Sequence, residues 1–150
     1  MQIKCSLLLF GIFTTITNVF ATNFTECDGV PKPLGLRVIG CEQPPCKFIR
    51  NKTTIFEVDF EAHRDIIELK PQVKAKAMGI ETDYPISRTD ACLDIINGEC
   101  PLDKGEEVTY RLQMPILSTF PKVSFQVEFS LISPDENVVC LKINGEVTDE

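Results

Sequence analysis

The sequence is poor in the residues that most often carry chemistry. It contains one histidine, His63, and no tryptophan. A lone histidine leaves little for nucleophilic or general acid–base catalysis, which needs a base within reach of a nucleophile or a second proton carrier. There is no phosphate-cradling glycine loop and no nucleophile elbow. Glu57, Asp59 and Glu61 alternate along one segment and Glu106–Glu107 open another, but such rows read as solvated strand faces rather than catalytic pairs. Basic residues are also short, 15 Lys and Arg against 22 Asp and Glu, for a formal net charge of −7. That balance argues against nucleic acid and against electrostatic docking on anionic membranes. The expectation is a protein that is not an enzyme and uses neither cofactor nor metal.

Long apolar runs are missing after the N-terminus. The run Leu7–Ile16, preceded by Lys4 and followed by Val19-Phe20-Ala21, has the layout of a cleavable secretory signal over residues 1–21. It is short for a membrane span of about 20 residues. Lys4 is the only charged leader residue, so its removal takes the mature chain from −7 to −8. Residues 22–150 then form one domain, long enough to bury a core without depending on cross-links. Secretion, to the extracellular fluid or the lysosomal lumen, makes the sequons at Asn23 and Asn51 candidate glycosylation sites.

What the chain does have is two-residue alternation. Val123, Phe125, Val127, Phe129 and Leu131 fall on one face of the segment Lys122–Leu131, with polar residues on the other. Phe56, Val58, Phe60 and Ala62 repeat this over Thr54–Ala62. Shorter versions occur at Val73, Ala75 and Ala77, at Val108, Tyr110 and Leu112, and at Val139, Leu141 and Ile143. With a first strand over Leu34–Ile39, this predicts six or seven strands and an all-β, immunoglobulin-like two-sheet sandwich. Glu81–Gly105 does not alternate and reads as a long loop.

Of seven cysteines, Cys5 leaves with the leader, and six remain. In an oxidising compartment, with spacings wider than zinc ribbons use, they form a disulfide framework. Fifteen pairings are possible. Turn residues bring Cys41 close to Cys46 around Gln43-Pro44-Pro45, and Cys92 close to Cys100 around Asn97-Gly98. Cys27 and Cys140 are left, and closing so long a loop contributes about 4–5 kcal/mol in the chain-entropy account.

The order of these cysteines, with Gln-Pro-Pro inside the Cys41–Cys46 pair, resembles the lipid-recognition (ML) domain family, in particular its Niemann–Pick type C2 branch and secreted arthropod members. Lys76-Ala77-Met78-Gly79-Ile80, Tyr84-Pro85-Ile86, Glu99-Cys100-Pro101-Leu102-Asp103-Lys104-Gly105 and Met114-Pro115-Ile116 carry the likeness. The resemblance implies the same three disulfides and a hydrophobic cavity between the sheets. It places Tyr84, Ile116 and Phe120 at an aromatic and aliphatic gate, with Pro115 beside it. It also implies that inward residues of the long strands line the interior: Phe56, Val58, Phe60, Val73, Ala75, Val108, Tyr110, Leu112, Val123, Phe125, Val127, Phe129 and Leu141. Glu81-Thr82-Asp83 stands where the family's sterol carriers have a proline-rich apolar stretch, and Phe129 and Leu141 stand where the mammalian form has tryptophans.

The function this implies is a soluble monomeric carrier. Its partner is a hydrophobic small molecule, whether sterol, fatty acid, related lipid or chemical signal, passed to a membrane, receptor or transporter. A recognition module with a filled core, binding a protein or a microbial glycolipid, is the alternative.

Overall fold

The computed structural model describes residues 20–150, so the expected leader lies outside the described residues except for Phe20 and Ala21. Nine strands follow in order: β1 (Thr25–Glu26), β2 (Gly35–Val38), β3 (Cys46–Ile49), β4 (Thr53–Glu61), β5 (Lys70–Ala77), β6 (Ile80–Asp83), β7 (Glu107–Pro115), β8 (Ser124–Ile132) and β9 (Asn137–Thr148). One sheet has six strands in the order β1-β9-β8-β5-β6, with β3 also paired to β9; the other has three, β2-β4-β7. All pairs are antiparallel except β3 with β9.

The alternating segments became strands because only one of their faces is apolar. Phe56, Val58 and Phe60 of β4, Val108, Tyr110, Leu112 and Met114 of β7, and Val127, Phe129 and Leu131 of β8 are all buried. Tyr110 lies flat on Phe129 across the two sheets, centroids 5.5 Å apart, and closes the middle of the sandwich. Phe48 of β3 seals its flank, 4.9 Å from Phe125 and 5.9 Å from Phe56. That ring lies against Gly145 of β9, where the space a side chain would need is already filled.

Three strands escaped the alternation pattern. β1 has two residues, and β3 has four and lies parallel to the far end of β9. β6 falls partly inside Glu81–Gly105, expected to be loop throughout; all four of its residues are exposed, so no burial pattern marks it. Its backbone reveals it: β5 and β6 are joined through Met78 and Gly79, both at positive φ (50° and 79°), the geometry of a tight hairpin turn. The rest of that segment is irregular apart from a 3-10 turn at Ala91–Asp94, whose first turn is capped by the Asp90 carboxylate accepting from the Cys92 amide at 3.0 Å.

The three disulfides are Cys27–Cys140, Cys41–Cys46 and Cys92–Cys100. The first links residues 113 apart and ties the N-terminal segment to β9.

On the outer face of the small sheet, Arg37 donates to Glu57 (3.0 Å) and to Asp59 (2.9 Å), Arg111 donates to Glu57 (2.6 Å) and the Thr109 hydroxyl to Asp59 (2.6 Å). The Arg111 hydrogen bond, aided by Arg37, holds the Glu57 carboxyl below its ordinary range. Burial pushes Asp59 upward, but the Arg37 and Thr109 hydrogen bonds outweigh it and the net direction is also down. Of the expected acidic row, Glu57 and Asp59 thus form a structural ion network, and Glu61 at the strand's end is exposed.

Two outcomes are expected. Gly145→Ala puts a methyl 2.8 Å from Phe48 Cδ2 and 3.1 Å from the Cys46 carbonyl oxygen, so it should lose about 1–3 kcal/mol in denaturant unfolding with an unchanged slope. Because both carboxyls are depressed in the fold, their contribution is complete above the ordinary carboxyl range and is lost as pH falls through the folded values. The unfolding midpoint of the wild type should therefore drop more between about pH 6 and pH 2.5 than that of a Glu57→Gln/Asp59→Asn variant. An equal drop in both would show the network to be inert.

Candidate functional site

Toward the β5–β6 hairpin the two sheets part, and between them lies an open-mouthed cavity of about 370 Å³. The large sheet contributes Ala75 and Ala77 of β5, Ile80 and Thr82 of β6, Phe125 of β8 with Val123 just before it, and Val147 of β9. Met114 at the end of β7, and Ile116, Phe120 and Pro121 beyond it, form the opposite wall. Met78, Asp83, Tyr84 and Pro85 complete the rim. Small side chains on β5 make the room. Val73 is buried against Phe129, its register partner on β8, whereas Ala75 two residues on leaves space that a larger residue would fill.

Two contacts fix the mouth. The Tyr84 hydroxyl donates to the Pro115 carbonyl oxygen at 2.8 Å, and the Tyr84 ring meets the Phe120 ring edge-on at 6.2 Å. Burial raises the Tyr84 phenol above its ordinary value, so it remains a protonated donor. Behind them the turn between β3 and β4 anchors the segment after β7: the Ile116 amide donates to the Lys52 carbonyl (2.9 Å) and its carbonyl accepts from the Asn51 amide (2.7 Å). Asn51 sits there at φ 64°, a left-handed position asparagine tolerates. Arg50 also donates to the Ser118 carbonyl at 3.1 Å, and Asp149 bridges Arg50 and Lys122.

Tyr84, Ile116 and Phe120 all line the cavity, together with Ala75, Val123 and Phe125. Pro115 is exposed beside the mouth and contributes its carbonyl. The other expected lining residues lie elsewhere. Phe56, Val58, Phe60, Val73, Val108, Tyr110, Leu112, Val127, Phe129 and Leu141 are buried in the closed part of the sandwich and do not reach the cavity. The expectation of a lining that runs the length of the strands is corrected: stacking of Tyr110 on Phe129 fills that region.

Missed were Ala77, Met78, Ile80, Thr82, Asp83, Pro85, Met114, Pro121 and Val147. Ala77 and Met114 simply continue the alternations of β5 and β7. Val147 continues that of β9, but Gly145 interrupts the apolar signal.

Both sequons are exposed at the surface: Asn51 on the β3–β4 turn and Asn23 near the Cys41–Cys46 loop. His63 is exposed, and no cluster of three metal-ligating side chains occurs among the described residues. Among those residues no helix is long and apolar enough to cross a membrane.

Comparison with known proteins agrees with this geometry. The family model described as the ML domain matches residues 21–147. The "NPC intracellular cholesterol transporter 2 homolog a" of Drosophila melanogaster is 32% identical over 132 residues, covering 85% of this chain and 88% of that protein. A Niemann–Pick type C2 protein from the Japanese carpenter ant superposes with a TM-score of 0.76 at 19% identity, covering 84% of this chain and 99% of the ant chain. Chicken MD-1 superposes more loosely, with a TM-score of 0.52 at 16% identity over 81% of this chain and 85% of that one. The chain belongs to the ML-domain family.

Proposed function

We propose that this protein is a secreted, non-catalytic carrier that takes the apolar part of a small lipid into the cavity between its sheets and hands it to a membrane or a receptor. ML-domain proteins of the Niemann–Pick type C2 kind are non-catalytic lipid-binding proteins. The fly relative is named as a cholesterol transporter, and chicken MD-1 was solved in complex with lipid IVa. The observation that carries the reading for this chain is the cavity itself, walled mainly by aliphatic and aromatic side chains, with Tyr84 and Phe120 among its lining residues.

Its size suits the role. About 370 Å³ lies within the range of roughly 300–1,000 Å³ typical of small-molecule sites. Each methylene buried contributes about 0.8 kcal/mol, so a dozen offer roughly 10 kcal/mol before the costs of association. That gross gain is of the order of the roughly 8 kcal/mol of micromolar binding, so methylene burial can supply most of the affinity without a charged contact. Handover at a membrane is supported by the rim, where Met78 (81% exposed), Ile80 (66%) and Leu117 (51%) present uncovered apolar surface. A recognition module with a filled core would need this end of the sandwich closed as the middle is at Tyr110 and Phe129.

The test is uptake of a neutral fluorescent lipid by three proteins. Phe120→Ala should weaken binding about tenfold by removing one wall of the mouth. Ala75→Trp should weaken it at least about a hundredfold by filling the interior, because a ligand that loses its methylene burial loses its affinity. Both should melt within a few degrees of wild type, since neither disturbs the closed core. Unchanged affinity in both variants would refute the carrier reading.

A further inference from the structure

We infer that Asp149 is a positioning residue for the carrier: by bridging Arg50 and Lys122 it clasps a strap of chain, residues 117–122, that carries Phe120, and so sets how fast a lipid enters and leaves the cavity. The inference rests on the carrier reading and adds to it the group that controls exchange.

The strap is the least tethered part of the cavity wall. Before it, Ile116 exchanges backbone hydrogen bonds with Asn51 and Lys52; after it, the Val123 carbonyl accepts from the Val147 amide at 3.0 Å. Between those points its one backbone hydrogen bond is internal, from the Phe120 amide to the Leu117 carbonyl at 3.1 Å. Among the described residues, the hydrogen bonds that tie it to the rest of the protein run from Arg50 Nη1 to the Ser118 carbonyl (3.1 Å) and from Lys122 Nζ to Asp149 Oδ2 (2.9 Å). Phe120 and Pro121, held between these two ties, line the cavity.

Both ties lead to Asp149. β3 runs parallel to β9 and ends with Ile49 opposite Thr148, and the Arg50 amide donates to the Thr148 carbonyl at 2.9 Å. That places the Arg50 side chain beside Asp149, where Nε donates to Oδ1 at 2.6 Å while Nη1 reaches Ser118. The rigid fork of a guanidinium suits this double duty, which a lysine ammonium would not. The second carboxylate oxygen takes Lys122. The Lys122 and Arg50 hydrogen bonds also hold the Asp149 carboxyl below its ordinary range, so it is ionised at neutral pH.

One carboxylate therefore orients the guanidinium that grips the strap near its start and binds the ammonium at its end. A lipid tail passing the Tyr84 and Phe120 rings, whose centroids are 6.2 Å apart, requires Phe120 to swing outward, and that movement pulls on both ion pairs. The strap is clasped before the lipid passes and again afterwards. Loosening the clasp thus speeds entry and exit together and leaves the equilibrium affinity where it was. The side chains are partly exposed, 24% for Arg50, 55% for Asp149 and 57% for Lys122, so each pair has a modest effect that salt screens. Glu150 supplies a control: it pairs with Lys52 at 2.9 Å and makes no hydrogen bond to the strap.

The experiment is stopped-flow mixing of the neutral fluorophore N-phenyl-1-naphthylamine with the secreted protein near neutral pH, as wild type, Asp149→Asn, Lys122→Gln, the variant with both changes, and Glu150→Gln. The slope and intercept of the observed rate against fluorophore concentration give kon and koff. Asp149→Asn should raise both about three- to fivefold, the size of two exposed ion pairs, with Kd and melting temperature close to those of wild type. Lys122→Gln alone should raise both about twofold. Added to Asp149→Asn it should change neither further, because the lysine acts through that carboxylate. Glu150→Gln should behave as wild type. Raising NaCl from about 20 mM to about 500 mM should bring the wild-type rates toward those of Asp149→Asn, whose own rates should stay put. Unchanged rates in Asp149→Asn, an equal rise in Glu150→Gln, or a rise in koff alone with a matching loss of affinity would overturn the clasp inference and leave the carrier reading standing. Failure of the fluorophore to bind wild type would overturn the carrier reading and this inference with it.

Discussion

Six strands on one side and three on the other set the constraint from which the rest follows. Where the sheets are matched, the inward rows interdigitate, and Tyr110 against Phe129 leaves no room between them. The β5–β6 hairpin extends the large sheet beyond what β2, β4 and β7 cover. There the opposite wall is built from the end of β7 and the segment Ile116–Pro121, held by backbone hydrogen bonds to the β3–β4 turn. A wall of chain rather than of sheet does not press its side chains into the facing row. The apolar surface left between them is the cavity.

Charge is arranged to leave the walls of that region largely apolar. Glu57 and Asp59 of β4 are engaged by Arg37 and Arg111 on the outer face of the small sheet, and Lys74 pairs with Glu81 across the hairpin on the outer face of the large one. The strand period of two performs this sorting: the same alternation that turns Ala75 and Ala77 toward the cavity turns Lys74 and Lys76 away from it. What remains inside is aliphatic and aromatic, with Thr82, Asp83 and Tyr84 as the polar residues at the mouth. Binding by such a site draws on methylene burial for affinity and on the few polar groups for selection.

The long strands were legible in the sequence because each has one apolar face and one polar face. β4, β7, β8 and β9 could be read from Phe56, Tyr110, Phe125 and Leu141 and their neighbours. β6 was not, because an edge strand exposed on all four residues pairs through its backbone and leaves no mark in side-chain hydropathy. The turn chemistry of the two short cysteine pairs anticipated their disulfides. The cavity was legible only through family likeness, which nominated Tyr84, Ile116 and Phe120. Composition treats Val73 and Ala75 alike, although one packs against Phe129 and the other faces open space. That difference is decided by what stands across the gap, and no local pattern encodes it. Hence the ten residues assigned to the lining that turned out to be core.

The central claim is that the space behind Tyr84 and Phe120 holds a lipid. Native mass spectrometry of the secreted protein, followed by organic extraction and identification of whatever dissociates, tests it most directly. The account predicts a one-to-one complex whose added mass is released on collisional activation as an intact lipid. A protein that flies only at its own mass, both as secreted and after incubation with a lipid extract, would contradict it.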